Sequence, residues 1–285
     1  MRLDNEQESQ NIEDRRGRRV SKTIAGGGIG GVAIILIALF FGVDPRAILQ
    51  GNLESNVPEE TRTNSQPASA DDPGREFVAR VLGSTERTWG EIFQRAGRQY
   101  IQPKLVLFSG QVQSACGFAQ AAAGPFYCGN DQKVYIDLAF YRELRERFQA
   151  PGDFAQAYVI AHEIGHHVQN LLGIMEKIQA RQSRASERDA NTLSVRLELQ
   201  ADCLAGIWAS YANQERKILE QGDLEEGLNA AAQIGDDTLQ KRAQGYVVPE
   251  GFTHGSAEQR VRWFRRGIDS GDLKQCDTFA ARSLS

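Results

Sequence analysis

The alternation of apolar and polar positions divides the chain into four stretches. Residues 1–22 are polar and charged. From Thr23 to Val43 there is no charged residue, and Val32 to Val43 is almost wholly aliphatic or aromatic. A helix of that length spans roughly 30 Å, about one hydrocarbon core. Residues 44–74 are rich in Asn, Glu, Ser, Pro and Asp, show no sustained period, and read as a linker. Apolar residues then return at helical spacing (Phe77, Val78, Val81, Leu82, Trp89, Ile92, Phe93), interrupted by Gly83-Ser84. A domain covering residues 75–285 begins there, with no internal repeat.

Inside that domain, Leu105 to Phe108 with Val112 predicts a strand. Lys133 to Leu138 alternates Val134, Ile136 and Leu138 against Tyr135 and Asp137, and predicts a second. A Cys-, Gly- and Ala-rich loop from Ser114 to Gly129 separates them. A charged amphipathic helix passes through Phe140, Leu144 and Phe148. The next helix runs from Phe154 to Leu172, with Asp153 as cap and Gly173 as its terminating glycine. Further helices are predicted over Ala185–Asn213, Leu224–Ile234, Asp236–Gln244 and Ser256–Ile268. Met175, Trp208, Trp263 and Phe264 read as core. The class is α+β, mostly helical with a small sheet.

Charge adds a topology. Arg2, Arg15, Arg16, Arg18, Arg19 and Lys22 precede the uncharged stretch, whereas only Arg46 and Arg62 occur in the twenty residues after it. The positive-inside bias therefore predicts a cytoplasmic tail (1–22), a single transmembrane helix (23–43), a flexible linker (44–74) and an extracytoplasmic domain. A cleaved signal peptide is the competing reading, but Gly42-Val43-Asp44-Pro45 offers no small-x-small cleavage site. The net charge of -4 leaves no basic footprint for nucleic acid. The four cysteines form no CxxC pair, which argues against a zinc ribbon. An even count outside the cytoplasm fits two disulfides, with Cys116 and Cys128 closing a short loop and Cys203 left for Cys276. Four thiols is the other reading, and three pairings exist.

The chemistry concentrates in a few positions. Three of the four histidines, His162, His166 and His167, fall within six positions on a predicted helix. Residues four apart share a helix face, so His162 and His166 can converge on one ion, while Glu163 sits one position round as candidate general base. His167 points about 100° away from His166 and is read as a non-ligand. Gly165 costs about 1 kcal/mol in a helix interior, which fits a close approach by another element. A catalytic zinc needs a third protein ligand and an open position. Gln169 and Leu172 occupy the places where a metzincin carries Gly and His, which excludes that clan. Glu198 and Asp202, four apart among apolar neighbours, remain. Glu198 is taken as third ligand and Asp202 as hydrogen-bond partner of a ligand histidine. The swapped assignment and a solvent-facing acidic stripe stay open.

His162-Glu-Ile-Gly-His-His167, then Glu198-Leu-Gln-Ala-Asp-Cys-Leu-Ala-Gly206, then Thr253-His-Gly-Ser-Ala-Glu-Gln-Arg-Val-Arg-Trp263 resemble the bacterial neutral zinc metallopeptidase family. The stretch from Gly124-Pro-Phe-Tyr-Cys128 to Tyr135-Ile-Asp137 resembles that family's segment before the active-site helix. The resemblance implies a zincin-like domain with a gluzincin-type site, in which one Zn2+ is held by His162, His166 and Glu198 and peptide bonds are hydrolysed. His254, the remaining histidine, is the candidate oxyanion donor. By analogy with other membrane zinc proteases, Arg260, two residues after Glu258, is placed to pair Asp202 or Glu198. The strand from Lys133 to Leu138 is the candidate edge strand for an extended substrate. The expected function is a membrane-anchored zinc endopeptidase acting on peptides or proteins. The alternative is a non-enzymatic, zinc-stabilised membrane scaffold.

Overall fold

The computed structural model of the chain describes residues 1–17, 72–121 and 124–285. The expected transmembrane helix at 23–43 and nearly all of the expected linker lie outside the described residues. Among the described residues, no helix is long and apolar enough to cross a membrane.

In chain order the elements are β1 (Ile12–Asp14), α1 (Pro73–Arg95), β2 (Lys104–Phe108), β3 (Gln111–Ser114), β4 (Gly117–Gln120), β5 (Phe126–Cys128) and β6 (Lys133–Asp137). The helices α2 (Ala139–Glu146), α3 (Asp153–Leu171), α4 (Ile174–Gln182), α5 (Glu187–Arg216), α6 (Asp223–Gln233), α7 (Asp236–Gln244) and α8 (Ala257–Ser270) follow. The main sheet has the order β1-β2-β6-β5, with β1, β2 and β6 parallel and β5 antiparallel to β6; β3 and β4 form a separate hairpin. Both faces of the sheet are covered. Leu105, Leu107, Val134 and Ile136 enter the helical core, while Val106, Phe108 and Tyr135 pack under the hairpin with Val112 and Ala119. Burial on both faces is the usual state of parallel strands and explains their near-continuous apolar runs.

Several expectations are corrected here. The strand β6 lies between β2 and β5, so it is not an edge; the edge beside the site helix is β5. Helix α1 runs unbroken through Gly83-Ser84. The hairpin β3–β4 and β5 occupy ground expected to be largely loop, and α4 was not anticipated. Trp208, Trp263 and Phe264 are core as expected, but Met175 is only partly buried.

The largest correction concerns the N-terminus. Residues 1–17 are not a tail apart from the domain: they form its first strand and much of one flank. Strand β1 pairs with β2 in the register Ile12↔Leu105, Glu13↔Val106, Asp14↔Leu107. Upstream, Arg2 N–H donates to Ile218 O (2.8 Å) and Ser9 N–H to Ala79 O (3.0 Å). The sequence of α1 has to admit this arm. A Cβ on Gly83 would lie 2.0 Å from the Gln7 carbonyl oxygen. Glycine here serves close approach of backbone.

The site rests on helices α3, α5 and α8. Helix α3 packs on α5 and α6, and α5 on α8. Gly165 lets α3 approach α5 closely: a Cβ there would meet Ala201 O at 2.8 Å and Ala201 Cα at 3.0 Å. Ser186 caps α5, and Ser256 with Gln259 forms a capping box on α8. Both expected disulfides form, Cys116–Cys128 tying β5 to the hairpin turn and Cys203–Cys276 tying α5 to the C-terminal segment.

Candidate metal centre

Helix α3 presents His162 and His166 on one face, with ring centroids 4.8 Å apart and ring planes nearly perpendicular. Helix α5 brings Glu198 against them. Its Oε2 lies 3.1 Å from His162 Nε2, and its Oε1 lies 3.5 Å from His166 Nε2. One donor atom from each of the three residues lies within 4.8 Å of the other two.

The opposite nitrogen of each ring is held from behind. His162 Nδ1 lies 2.7 Å from Asp202 Oδ1, and His166 Nδ1 lies 2.9 Å from Gln169 Oε1. With each Nδ1–H donating to its oxygen, each Nε2 lone pair is turned toward Glu198. That is the tautomer and orientation a metal-ligating imidazole needs. Glu198 thus faces both Nε2 atoms and Asp202 faces His162 Nδ1, the places that a third ligand and its support would take. Both acidic residues are at least four-fifths buried, so the solvent-facing stripe does not describe them.

Asp202 is fully buried and heavily engaged. It accepts from Tyr158 O–H (2.6 Å) and from Arg260 Nε and Nη2 (both 2.9 Å). The fork-on-carboxylate geometry is the strong form of this pair. It joins α8 to α5 directly behind His162. On the other ligand, Gln169 donates to Leu197 O (2.8 Å) and Gln200 Oε1 (3.1 Å), and Gln200 donates to Cys276 O (2.9 Å). The orientation of His166 is thus referred through two amides to the segment pinned by Cys203–Cys276.

Charge in the site follows from burial and neighbours. Burial pushes the Glu198 carboxyl up, but the His166 and His162 imidazoles outweigh it and hold it well below the usual carboxylate range. Asp202 is likewise pushed up by burial and drawn below its ordinary value by Arg260 and His162. Glu163 differs. Burial raises its carboxyl, with Glu198 adding to the rise, and His162 and His166 only partly oppose it. The two carboxyls are thus pushed in opposite directions, the pattern found where two acidic groups hold different roles.

His254 stands in the turn before α8. Its Nδ1 lies 3.1 Å from Asp236 Oδ1, and Asp236 Oδ2 accepts from the backbone N–H groups of Thr253, His254 and Gly255 at 2.7–3.0 Å. Asp236 accepts from Nδ1–H, so Nε2 can donate outward only when the ring is charged. Burial disfavours a charged His254; Asp236 first and Glu198 after it overcome this and raise its pKa, so the ring lies within electrostatic reach of the candidate ligands.

His167 turns away as helical geometry requires. It is fully buried, with Nδ1 2.9 Å from Tyr127 O–H and Nε2 2.6 Å from Ile101 O. Four residues at the site were missed by sequence reasoning: Tyr158, Gln169, Gln200 and Asp236. Tyr158 and Gln169 lie four before His162 and three after His166, on the ligand face of α3, a spacing that carries a signal. Nothing local marks Asp236, 18 residues before His254.

Two imidazole nitrogens and one carboxylate oxygen, converging with their supports in place, fit zinc with a position left open. Comparison with known proteins agrees. The sequence model of the family described as "Putative neutral zinc metallopeptidase" matches residues 1–279. The chain is 46% identical to the Escherichia coli K12 protein YpfJ over 288 residues, covering 98% of this chain and 99% of that one. It is 39% identical to the Mycobacterium tuberculosis H37Rv protein Rv2575 over 267 residues, 87% and 86% of the two chains. No solved structure matches the chain. The chain belongs to the neutral zinc metallopeptidase family.

Proposed function

We propose that this chain is a zinc-dependent endopeptidase, held at a membrane through residues 23–43, with its catalytic domain on the extracytoplasmic side. The observation that carries the reading is the convergence of His162 Nε2 and His166 Nε2 on Glu198, with Glu163 one helical position away. A purely structural metal site closes its shell with four ligands and needs no carboxyl base beside it.

Zinc held by His162, His166 and Glu198 supplies a Lewis acid that polarises a scissile carbonyl and lowers the pKa of water to about 7. The protein's own groups do the rest. Glu163 takes the proton of the attacking water and passes it to the leaving amine, so the C–N bond breaks as the C–O bond forms and protons balance. Its burial-raised carboxyl suits both halves of that transfer. His254, in its charged form with Nδ1–H held by Asp236, donates from Nε2–H to the oxygen that gains negative charge. Asp202, Arg260 and Gln169 hold the two ligand rings in place. The sheet edge β5 offers unpaired backbone to an extended peptide. The two disulfides support an oxidising compartment.

The test is Glu163→Gln in the full chain. Peptide cleavage is expected to disappear while equimolar zinc stays bound. Wild type that cleaves a peptide library no better than this variant would favour the alternative of a zinc-stabilised scaffold.

A further inference from the structure

The N-terminal arm is built into the domain by commitments on both sides. Glu6 and Arg216 form a 2.6 Å ion pair whose side chains are 3% and 6% exposed. Glu86, on the inner face of α1, receives both of its side-chain hydrogen bonds from the arm: Ser9 O–H at 2.8 Å and Asn11 N–H at 2.7 Å. Arg80 donates to the carbonyl oxygens of Leu3 and Glu6. Lys133 of β6 reaches across β2 to Glu13 at 2.9 Å. The end of the arm meets the start of the rest of the domain, because Arg16 pairs with Asp72 at 2.5 Å, and Asp72 is the N-cap of α1.

Withdrawing the arm would take from Glu86 both of its side-chain donors, strip Arg216 of its buried counter-ion Glu6, and expose the hydrogen-bonding edge of β2. These costs tie residues 1–17 and 72–285 into one folding unit, and a bilayer cannot pass through a folding unit.

We infer that residues 1–17 and 72–285 lie on the same side of the membrane, so that any contact the intervening chain makes with lipid begins and ends where Arg16 meets Asp72. The chain between these points makes no odd number of crossings. The uncharged stretch from Thr23 to Val43 is long enough for one helical crossing and not for two. It therefore does not act as a single pass separating a cytoplasmic tail from the domain. The excess of arginine before it, which suggested that topology, belongs in part to the folded arm: Arg15 pairs with Glu13, and Arg16 with Asp14 and Asp72. The inference does not depend on the enzymatic reading.

All four cysteines are in disulfides, so one added surface cysteine is the only free thiol. Asn5→Cys, on an exposed arm position, and Glu146→Cys, at an exposed position (59%) on α2, are made separately in the full chain. A membrane-impermeant maleimide is applied to spheroplasts and to lysed cells. The expected result is the same labelling for both variants: both labelled in spheroplasts, and both again after lysis. Both protected until lysis also supports the inference, and it overturns only the extracytoplasmic placement proposed above. One variant labelled in spheroplasts while the other needs lysis overturns the inference.

Discussion

Asp202 Oδ1 lies 2.7 Å from His162 Nδ1, and this contact decides which ring nitrogen faces the candidate metal site. The same carboxylate is clamped by Tyr158 and by both arms of the Arg260 fork. Asp202→Asn keeps the shape but offers an amide where the ring and guanidinium need an anion. We expect zinc affinity to fall by about 10- to 100-fold, the usual cost of removing such a support. Chelator competition measures it. An unchanged affinity would show that His162 holds its orientation through α3 alone.

His166 is supported by a different chemistry, a neutral amide chain from Gln169 through Gln200 to Cys276 O. Gln169→Leu fills the same space without an acceptor, so it should weaken zinc binding by a comparable factor, with little change at the His162 half of the site. Cys276→Ser tests the far end of the chain. Loss of a native disulfide costs about 2–5 kcal/mol, read as a lower denaturation midpoint. If the chain transmits order, zinc affinity falls as well in the folded variant. Stability lost with affinity intact would confine the bridge to a structural role.

These two supports show what the sequence could and could not reveal. His162, Glu163, His166, Glu198 and Asp202 were legible because a helix converts spacing into a shared face, and both carboxylates sit in apolar company. Helices α3, α5, α7 and α8 were legible for the same reason, and Gly173 follows the end of α3 as expected, but Asp153 is the first residue of α3 and makes no capping bond, the N-cap being Gly152. Gln169 was noticed only as a departure from another clan's pattern, although its spacing from His166 places it on the ligand side. Asp236 has no periodic relation to His254; only the turn between α7 and α8 joins them. The arm is not legible because charge density near an apolar stretch speaks of membrane topology, whereas the side-chain partners of Glu6 and Asn11 lie 75 residues or more away in the chain.

Gly165 is expected to tolerate no side chain. A methyl there would press on Ala201 O and Cα at 2.8 and 3.0 Å, both backbone atoms of α5 that cannot turn aside. Gly165→Ala should gain helix propensity yet lose net stability by about 1–3 kcal/mol, the typical range for overpacking. Because the displaced helix carries Glu198, zinc affinity should drop as well. Thermal unfolding with and without zinc separates the two effects. A variant as stable as wild type would mean that the helices have room to part without disturbing the ligands.

The Asp236–His254 pair carries a pH prediction with a defined sign. Burial pushes the Asp236 carboxyl up, but His254 and the backbone N–H groups of His254 and Gly255 outweigh it, leaving its folded-state pKa below the ordinary 3.8. A carboxyl depressed on folding contributes stability that is fully present above its unfolded value and is lost as pH falls through its folded value. Asp236→Asn should therefore be less stable than wild type at neutral pH, by about 1–3 kcal/mol for the hydrogen-bonded charge removed. The gap should close as the medium is acidified below the ordinary carboxylate value, because wild type then loses the same charge. Denaturant melts across that range measure the gap, and a gap independent of pH would mean that Asp236 is not ionised in the folded protein. Kinetics divide the roles of the pair. His254→Ala removes the proposed oxyanion donor and should lower kcat by about 10²- to 10³-fold with zinc retained. Asp236→Asn leaves the imidazole present but poorly held, so its loss in kcat should be smaller than that of His254→Ala and in the same direction. Equal losses would make Asp236 indispensable to the donor, and no loss in either variant would remove His254 from the chemistry.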